Sequence, residues 1–546
     1  MRYLFIVLLI TQFQIVLSQN ETNNFKFRVY LKDKQVSDFD NADALTYLSQ
    51  KAIDRRKEQS VSVDSTDYPI SSTYKQIVQK QGAILIAESK WFNTLLIQCT
   101  DSAQIKNIED LNFVDSVKFV WRGSSAMNDD TMRTRLKSID CSSDTLQDSW
   151  FGLSAKQFDL HNAQSMLNAG FRGGGIDIAV IDAGFANTDV IPLFVNSIIS
   201  GYKSFVPDGD IFSALDHGTK VFSTMALNLP HKAMGSAPEA SYYLLRSEDE
   251  KSEFPVEEDY WVAAIEYADS VGVKLVNTSL GYNKFDDPVL DYTHKELTGK
   301  RSLISLGAAM AFDKGMLIVG SAGNEGNKDW GKITVPGDSK KILTIGAISL
   351  DSTIASFSSR GPTADGRIKP DLVSIGIDAI TISQNGLIGR TNGTSFSSPF
   401  LTGLIGSLWS VNPQLNRNQL IDIVRSSGHQ FNKPDTIFGY GIPDFKIAYQ
   451  AVLKTLKQES DSTTTGTIGV SKNDNNFLRI ALNDPMFEQH SYSIRILDEE
   501  GNTIVTEELN MSEYVFELTK MVRERNNELF IVVQSPLTQK TIRYKI

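Results

Sequence analysis

The segment that decides the fold is Asn392-Gly393-Thr394-Ser395-Phe396-Ser397-Ser398-Pro399, a run of small residues that leads into an apolar stretch. The apolar side chains behind it recur at helical spacing: Phe400, Leu401, Leu404, Ile405, Leu408 and Trp409. The pattern predicts a helix that begins near Ser395 and ends before Pro413. Pro399 is expected in the first turn, where a missing N–H has no intrahelical partner to lose.

Ser395 is therefore expected at a helix N-terminus, where backbone N–H groups point outward and stabilise negative charge. A serine in that position can act as a nucleophile with part of an oxyanion site already formed. The alternative is that Ser395 only caps the helix, because serine is a favoured N-cap residue. This segment alone does not decide between the two interpretations.

The bulk composition describes an ordinary globular protein. The chain has 546 residues, of which 41% are hydrophobic and 22% charged, enough for several domains with a large core. The net charge of -11 argues against a nucleic-acid-binding protein, which normally presents a basic face. Two cysteines, Cys99 and Cys141, are too few for a disulfide framework or a zinc site, and whether they pair stays open.

The N-terminus predicts export. Residues 1–18 combine Arg2 with a short apolar run and end at Ser18, which is typical of a signal peptide. A membrane anchor is the alternative, but the run is short and interrupted by polar residues. No later stretch is long and apolar enough to span a bilayer, so we expect a secreted or cell-surface protein with no integral membrane segment once the signal is removed.

Residues 19–123 predict a small α+β unit. The segment Phe25–Leu31 alternates apolar residues with Lys26, Arg28 and Tyr30, which indicates a half-buried strand with a polar outer face. Helical and strand-like segments follow, and the polar residues 124–150 resemble a linker. A compact unit between a signal peptide and a linker suggests a removable, inhibitor-like pro-region.

Residues 151–453 alternate apolar strands with helices, which indicates an α/β fold with a mostly parallel sheet covered on both faces. The predicted strands are Ile176–Ile181, Ser241–Arg246, Leu275–Thr278, Leu317–Ser321 and Ile342–Ile348, and the predicted helices are His217–Leu227, Tyr260–Val271 and Arg301–Lys314. The glycines 173–175 precede the first strand instead of following it, so they do not form a dinucleotide-binding turn.

Three polar residues stand at the ends of these elements, where an α/β sheet places functional groups. Asp182 ends the first strand, His217 opens a helix, and Asn324 follows the strand Leu317–Ser321. Each has an ordinary alternative: a turn aspartate, a polar surface histidine and an Asn-Glu-Gly turn. Together with Ser395, however, they supply an acid to orient an imidazole, a base for a serine proton and an amide donor for an oxyanion.

Several motifs in this order resemble the subtilisin family of serine peptidases. They are Ile178-Ala179-Val180-Ile181-Asp182-Ala183-Gly184, His217-Gly218-Thr219, Asn277-Thr278-Ser279-Leu280-Gly281, Ser321-Ala322-Gly323-Asn324-Glu325-Gly326, Ser356-Phe357-Ser358-Ser359-Arg360-Gly361-Pro362, Lys369-Pro370-Asp371 and Gly393-Thr394-Ser395-Phe396-Ser397-Ser398-Pro399. The resemblance covers roughly residues 151–453.

The resemblance implies a role for each motif residue. Asp182 would orient the base His217, Ser395 would be the nucleophile, and Asn324 would be the side-chain oxyanion donor. The segment Ser279-Leu280-Gly281 resembles the strand with which the family binds the substrate backbone.

The sequence also departs from the family. Lys220 replaces a second histidine that usually follows the first, at a position without a chemical role. The segment 283–305 is longer and more polar than in a minimal member. Its carboxylates allow two interpretations, a structural calcium site or a solvated acidic face: Asp286, Asp287, Asp291 and Glu296. The family's usual calcium loops are not found in the sequence, and the proposed chemistry requires no cofactor.

The C-terminal part predicts a small all-β module. Residues 454–470 are polar and rich in Ser and Thr, as in a linker, and residues 471–546 contain alternating strand segments typical of a β-sandwich. The module resembles C-terminal sorting domains of type IX secretion substrates, although Asn527-Glu528-Leu529-Phe530 replaces their usual glycine-aromatic turn. A plain β accessory domain is the alternative.

The combined interpretation is a secreted serine endopeptidase that is made as a zymogen and acts on proteins or peptides. The competing hypothesis is a catalytically silent binding protein that keeps the fold, and the intact set Asp182, His217, Asn324 and Ser395 argues against it. An esterase of the α/β-hydrolase type requires a Gly-x-Ser-x-Gly elbow and a different residue order, which Ser395 does not have.

Overall fold

The computed structural model describes residues 23–35, 43–101, 103–124, 147–207 and 209–456 and, in the C-terminal part, 458–459, 463–465, 468–472, 477–482, 491–509, 513–517, 528–535 and 539–545. The predicted signal peptide 1–18, most of the predicted linker 124–150 and Cys141 lie outside these ranges. Among the described residues, none of the helices has the length and apolar character needed to cross a membrane.

The N-terminal unit is a four-stranded antiparallel sheet with helices. Its elements are β1 (Asn23–Leu31), α1 (Gln50–Glu58), α2 (Ser72–Lys80), β2 (Ile84–Ser89), β3 (Thr94–Cys99), α3 (Ala103–Glu109) and β4 (Val114–Ser124). The strand order is β2-β3-β1-β4. Val29, Leu95 and Ile97 are fully buried in its core, so the small α+β architecture expected from the sequence is present.

The central domain is organised around one parallel sheet of seven strands. Its elements are α4 (Ala155–Leu160), α5 (Gln164–Asn168), β5 (Asp177–Asp182), β6 (Ile198–Ser204), α6 (His217–Ala226), β7 (Asn228–Leu229), β8 (Ala233–Met234), β9 (Ser241–Arg246), α7 (Val256–Val271), β10 (Leu275–Thr278), α8 (Leu303–Asp313), β11 (Leu317–Ser321), β12 (Ile342–Ile348), β13 (Leu372–Ile375), β14 (Ala379–Ile382), β15 (Ile388–Thr391), α9 (Thr394–Trp409), α10 (Arg417–Ser426) and α11 (Phe445–Leu453). The sheet order is β13-β12-β11-β10-β5-β9-β6, and every pairing is parallel.

Alternate residues of the strands face two separate apolar cores. Ile178 and Val180 of β5 pack with the side of the sheet that carries α6 and α9. Ala179 and Ile181 of the same strand pack with the side that carries α7 and α8. Burial on both faces explains why these strands are continuously apolar, and it confirms the predicted parallel sheet with helices on both sides.

One predicted helix differs in its boundary. The sequence favoured a start at Tyr260, whereas α7 begins at Val256 and includes an acidic first turn of Glu257, Glu258 and Asp259. Carboxylates stabilise a helix N-terminus through the helix dipole, which explains why a polar segment extends the helix.

The C-terminal part forms two antiparallel β layers that share one core. The elements are β16 (Gln458–Glu459), β17 (Thr463–Thr465), β18 (Ile468–Lys472), β19 (Phe477–Leu482), β20 (Tyr492–Leu497), β21 (Thr503–Leu509), β22 (Glu513–Glu517), β23 (Glu528–Gln534) and β24 (Gln539–Lys545). The sheet orders are β16-β24-β23-β20-β21 and β17-β18-β19-β22. Among the strands described in this part of the chain, only β16 runs parallel to its neighbour. Ile480 from one sheet and Ile494 from the other are fully buried in the same cluster, as in a sandwich.

The segment 454–470, predicted as a linker, differs from that expectation. It contains β16 and β17 and the start of β18, and Gln458 pairs with Arg543 in the larger sheet. Threonine-rich segments suit strands as well as loops, so the composition did not separate the two states.

The N-terminal unit docks on the central domain through the polar face of β1. The sequence predicted Lys26 and Arg28 on an outer face, but both are buried, with exposed fractions of 6% and 2%. Arg28 donates from Nε and Nη2 to the two carboxylate oxygens of Asp259 on α7, at 2.6 Å each. Lys26 donates to the Tyr260 hydroxyl at 2.9 Å. The alternation of β1 therefore reflects two buried faces, one apolar and one charged.

A second buried ion cluster joins α1 to the end of α7. Arg56 bridges Asp67 at 2.8 Å and Asp269 at 2.6 Å, and Arg55 also pairs with Asp269. Lys314, after α8, adds a contact of 3.0 Å to Asp67. Buried charges are tolerated only when they are paired, so this cluster depends on the two units remaining together.

We predict that Arg28→Ala destabilises the docked state by about 3–5 kcal/mol, because Asp259 then stays buried without its partner. The measurement is chemical denaturation of the full chain. Lys51→Ala is the matched control across the same interface, since the Lys51–Asp177 pair has an exposed lysine, and such pairs contribute little. Equal effects of the two substitutions would contradict the assignment of Arg28 as an anchor.

Candidate active site

Asp182 and His217 form a short polar contact at the C-terminal edge of the sheet. Asp182 is the last residue of β5, and His217 is the first residue of α6. The distance from His217 Nδ1 to Asp182 Oδ1 is 2.6 Å, and the same oxygen accepts the Ala183 N–H at 2.8 Å. The Asp182 side chain is fully buried, whereas one third (33%) of the His217 side chain is exposed. The imidazole therefore has one nitrogen fixed by the acid.

The pKa of His217 is raised above its ordinary value. Burial alone lowers that pKa, but the charge of Asp182 and its hydrogen bond outweigh burial by favouring the protonated imidazole. The buried carboxylate thus stabilises the positive charge that an imidazole acquires when it accepts a proton.

The residue after Ser395 packs against this pair. Ser395 is the second residue of α9, and the preceding Gly393 has a φ of 150°, which favours glycine. The His217 ring centroid is 5.8 Å from that of Phe396. The Ser395 hydroxyl donates to the Ser279 carbonyl at 3.4 Å, and within the described ranges it makes no hydrogen bond to His217. Such hydrogen bonds often form or shorten only when a substrate is bound.

The Asn324 side chain faces the residues just before Ser395. Its Oδ1 accepts the Thr394 N–H at 2.9 Å and the Thr394 hydroxyl at 3.0 Å. Nδ2 points toward Gly393, where an added Cβ would lie 3.7 Å from it. Because Thr394 occupies the amide oxygen, the two N–H groups of Asn324 are oriented as donors near the N-terminus of α9.

Ser279-Leu280-Gly281 continues β10 beyond the sheet. Among the described residues, no backbone hydrogen-bond partner is present for Leu280 or Gly281, while the next residue, Tyr282, pairs with Val335 in both directions. A side chain at Gly281 would approach Thr334 Oγ1 to 2.2 Å, so only glycine fits there. Within the described chain, Leu280 and Gly281 therefore have free backbone hydrogen-bonding groups next to Ser279, whose carbonyl accepts the Ser395 hydroxyl.

Comparison with known families decides the classification. The Subtilase family profile of peptidase family S8 matches residues 173–441, and the profile of the peptidase S8 propeptide domain of Bacteroidota matches residues 26–136. The chain belongs to the subtilase family. It is a subtilisin-like serine endopeptidase that carries a propeptide, and hence a zymogen.

Three curated relatives illustrate the extent of the similarity. Subtilisin E of Bacillus subtilis is 26% identical over 292 residues, 53% of this chain and 69% of that protein. Subtilisin DY of Bacillus licheniformis is 26% identical over 296 residues, 53% of this chain and 97% of that protein. Serine protease AprX of Bacillus subtilis is 31% identical over 153 residues, 24% of this chain and 34% of that protein. The propeptide match also extends past residue 123, into the predicted linker.

The position of Pro399 in this subtilase differs from the sequence-based expectation. Helix α9 begins at Thr394, so Pro399 lies beyond the first turn and removes the hydrogen bond that the Ser395 carbonyl would accept. The Ser279 hydroxyl donates to that carbonyl instead, at 2.9 Å. A side chain from the adjoining strand thus replaces the lost helical bond directly at the candidate nucleophile.

The sequence pattern did not reveal the function of one polar residue of the subtilase core, Asn277 in β10. Its Oδ1 accepts the hydroxyls of Ser398 at 2.9 Å and Thr402 at 3.1 Å, and its Nδ2 donates to Ser279 Oγ at 3.0 Å. These bonds fasten α9 to the strand that leads to Ser279. A buried asparagine inside an apolar strand was the available signal, because such an amide requires partners.

The carboxylates of segment 283–305, for which the sequence left a calcium site and a solvated acidic face as alternatives, bind separate protein groups in this subtilase. Asp286 accepts the Glu253 N–H, Asp291 accepts the Phe285 N–H, and Glu296 pairs with Arg301. Asp287 caps Val289 and pairs with Arg122. Within the described residues these four side chains are not gathered around a common point.

We predict that Ser279→Ala destabilises the subtilase by about 1–3 kcal/mol, because the buried Ser395 carbonyl loses its donor. Adding Pro399→Ala to the same chain should recover part of this loss, since an alanine in place of the proline supplies the missing helical N–H. Denaturation of the two single variants and the double variant, in a Ser395→Ala background that prevents self-cleavage, measures the coupling. Strictly additive effects would show that the two donors do not serve the same carbonyl.

Proposed function

We propose that this zymogen is secreted and that its mature domain hydrolyses peptide bonds through Asp182, His217 and Ser395. The observation that supports this most is the 2.6 Å contact between Asp182 and His217, together with the packing of Phe396, the residue after Ser395, near the His217 ring. A buried acid, a partly exposed imidazole and a serine at a helix N-terminus are the three groups that acyl transfer requires.

In the proposed reaction, Ser395 Oγ attacks the substrate carbonyl while His217 accepts the serine proton. The protonated imidazole, stabilised by Asp182, then donates that proton to the leaving amine, and an acyl-enzyme remains on Ser395. Water attacks the acyl group with His217 again as the base, which releases the acid product and restores the serine.

The oxyanion of each tetrahedral intermediate would be stabilised by two donors. One is the Asn324 amide, whose orientation is fixed by Thr394. The other is the backbone N–H of Ser395, which lies in the first turn of α9, where helical N–H groups lack intrahelical acceptors. Donors held in place before the reaction need no reorganisation when the charge develops.

The segment Ser279-Leu280-Gly281 would bind the substrate backbone. Its extended backbone lies next to Ser395, and peptides commonly bind by adding a strand to such an edge. This mode of binding selects flexible or unfolded segments of proteins and peptides. Backbone pairing has no preference for particular side chains, so adjacent pockets would set the specificity.

Export would depend on both ends of the chain. Residues 1–18 are the proposed signal peptide, and the C-terminal β module is the proposed sorting domain read by the secretion machinery. The supporting observations are the short apolar run after Arg2 and the two-layered β module that follows α11.

A fluorophosphonate serine probe tests the proposed nucleophile. We expect the mature protein to be labelled on Ser395 and the Ser395→Ala variant to remain unlabelled. Asn324→Ala should lower kcat by about 10²–10³-fold with little change in KM, because one oxyanion donor is lost. Labelling that persists in Ser395→Ala, or an unlabelled mature protein, would refute the assignment.

The pH dependence tests the Asp182–His217 pair. Because the base must be neutral and its pKa is raised, kcat/KM should fall on acidification with a midpoint above the ordinary imidazole value of about 6.5. Asp182→Asn removes the stabilising charge but keeps the burial, so the midpoint should move to lower pH while kcat drops by about 10⁴-fold. An unchanged midpoint in Asp182→Asn would show that another group titrates.

A further inference from the structure

Three glutamates converge between β9 and the first turn of α7. Glu248, Glu253 and Glu257 each offer a carboxylate oxygen, and these oxygens lie within 4.8 Å of one another. The structure turns the three carboxylates toward one point. It is the only such group of carboxylates, histidines or cysteines among the residues that the structure describes.

The burial and hydrogen bonding of Glu257 give the strongest indication that the cluster binds a ligand. The residue is 1% exposed, and its Oε1 accepts the Asp249 N–H at 2.7 Å. In the described part of the chain its second oxygen, Oε2, is buried and has no hydrogen-bond partner. A buried, ionised carboxylate oxygen without a partner is costly, and a cation beside it would compensate that cost.

The charges of the cluster are consistent with a bound cation. When ionised, three carboxylates whose oxygens lie within 4.8 Å of one another repel each other, and a cation between them removes that repulsion.

The spacing and the donor type favour calcium. Calcium takes six to eight oxygen ligands at about 2.3–2.6 Å, so ligand oxygens on opposite sides of one ion are about 4.6–5.2 Å apart. The mutual distances in the cluster fall within this limit. Magnesium requires shorter distances and a nearly ideal octahedron, and soft metals prefer sulfur or imidazole ligands.

We propose that Glu248, Glu253 and Glu257 bind one calcium ion, with water completing the coordination on the open side. The ion would join the loop after β9 to the start of α7. Glu248 also accepts a hydrogen bond from the Tyr282 hydroxyl, which follows Ser279-Leu280-Gly281. The Ser247 N–H donates to the Asp182 carbonyl at 3.1 Å. Calcium would therefore brace the backbone on both sides of the candidate active site.

Thermal unfolding of the full chain tests the site independently of catalysis. In a Ser395→Ala background at mildly alkaline pH and constant ionic strength, calcium chloride should raise Tm by roughly 3–6 °C at saturation. Glu257→Gln should abolish this rise. Without calcium, the same variant should be more stable than its parent, because one of three repelling carboxylates becomes neutral while Oε1 can still accept from Asp249.

Glu250→Gln is the matched control, since it removes one exposed negative charge from the same loop outside the cluster. It should keep the full calcium response, and calorimetric titration should find one more bound calcium per chain in Glu250→Gln than in Glu257→Gln. A Tm that calcium does not change in the parent overturns the proposal. So does a calcium response or stoichiometry that is the same in Glu257→Gln and Glu250→Gln.

Discussion

The arrangement of the candidate active site depends on how α9 is fastened to strand β10. Asn277 in that strand binds Ser398 and Thr402 on the helix, and Ser279 binds the carbonyl that Pro399 leaves without a helical donor. The helix packs on the sheet through apolar side chains along most of its length, and hydrophobic attraction by itself is not directional. The polar contacts fix its register, and with it the position of Ser395 relative to the strand that continues as Ser279-Leu280-Gly281.

The domain that carries the candidate active site also binds the propeptide, through buried ion pairs on α7. The propeptide sheet docks on α7 through Arg28 and Asp259, and α1 docks near the other end of that helix through Arg55, Arg56 and Asp269. Buried ion pairs contribute little net stability relative to apolar packing. Removing one member of a pair is nevertheless costly, because the other charge is left buried and unpaired. An interface with several such pairs specifies one docking geometry, because any shifted arrangement leaves charges buried and unpaired.

The carboxylates of α7 have partners of different chemistry. Asp259 and Asp269 face arginines from the propeptide, whereas Glu257 faces other carboxylates. The sequence shows that this region is acidic, but it does not show which carboxylates face arginines and which face other carboxylates. Neighbouring residues of a helix point in different directions, so Glu257 and Asp259 meet different surroundings although they are close in the chain.

Local patterns predicted much of the central domain. The strands Ser241–Arg246, Leu275–Thr278, Leu317–Ser321 and Ile342–Ile348 have the expected boundaries, because strands buried on both faces leave a continuous apolar signal. The start of α7 and the strands within 454–470 were not predicted, since their polar residues are equally compatible with loops. Both faces of β1 are buried, and alternation could not reveal this because a charged docking face and a solvated face have the same residue pattern.

The sequence by itself determined the fold class, the family resemblance and the identity of the candidate residues Asp182, His217, Asn324 and Ser395, because each lies at the end of a regular element with a recognisable motif. Only the tertiary structure decided which atoms meet: that Asp182 faces His217 Nδ1, that Thr394 orients the Asn324 amide, and that three glutamates converge beside α7. The physical reason is that secondary structure follows from interactions between near neighbours, whereas contacts between side chains distant in the chain depend on the packing and register of whole elements.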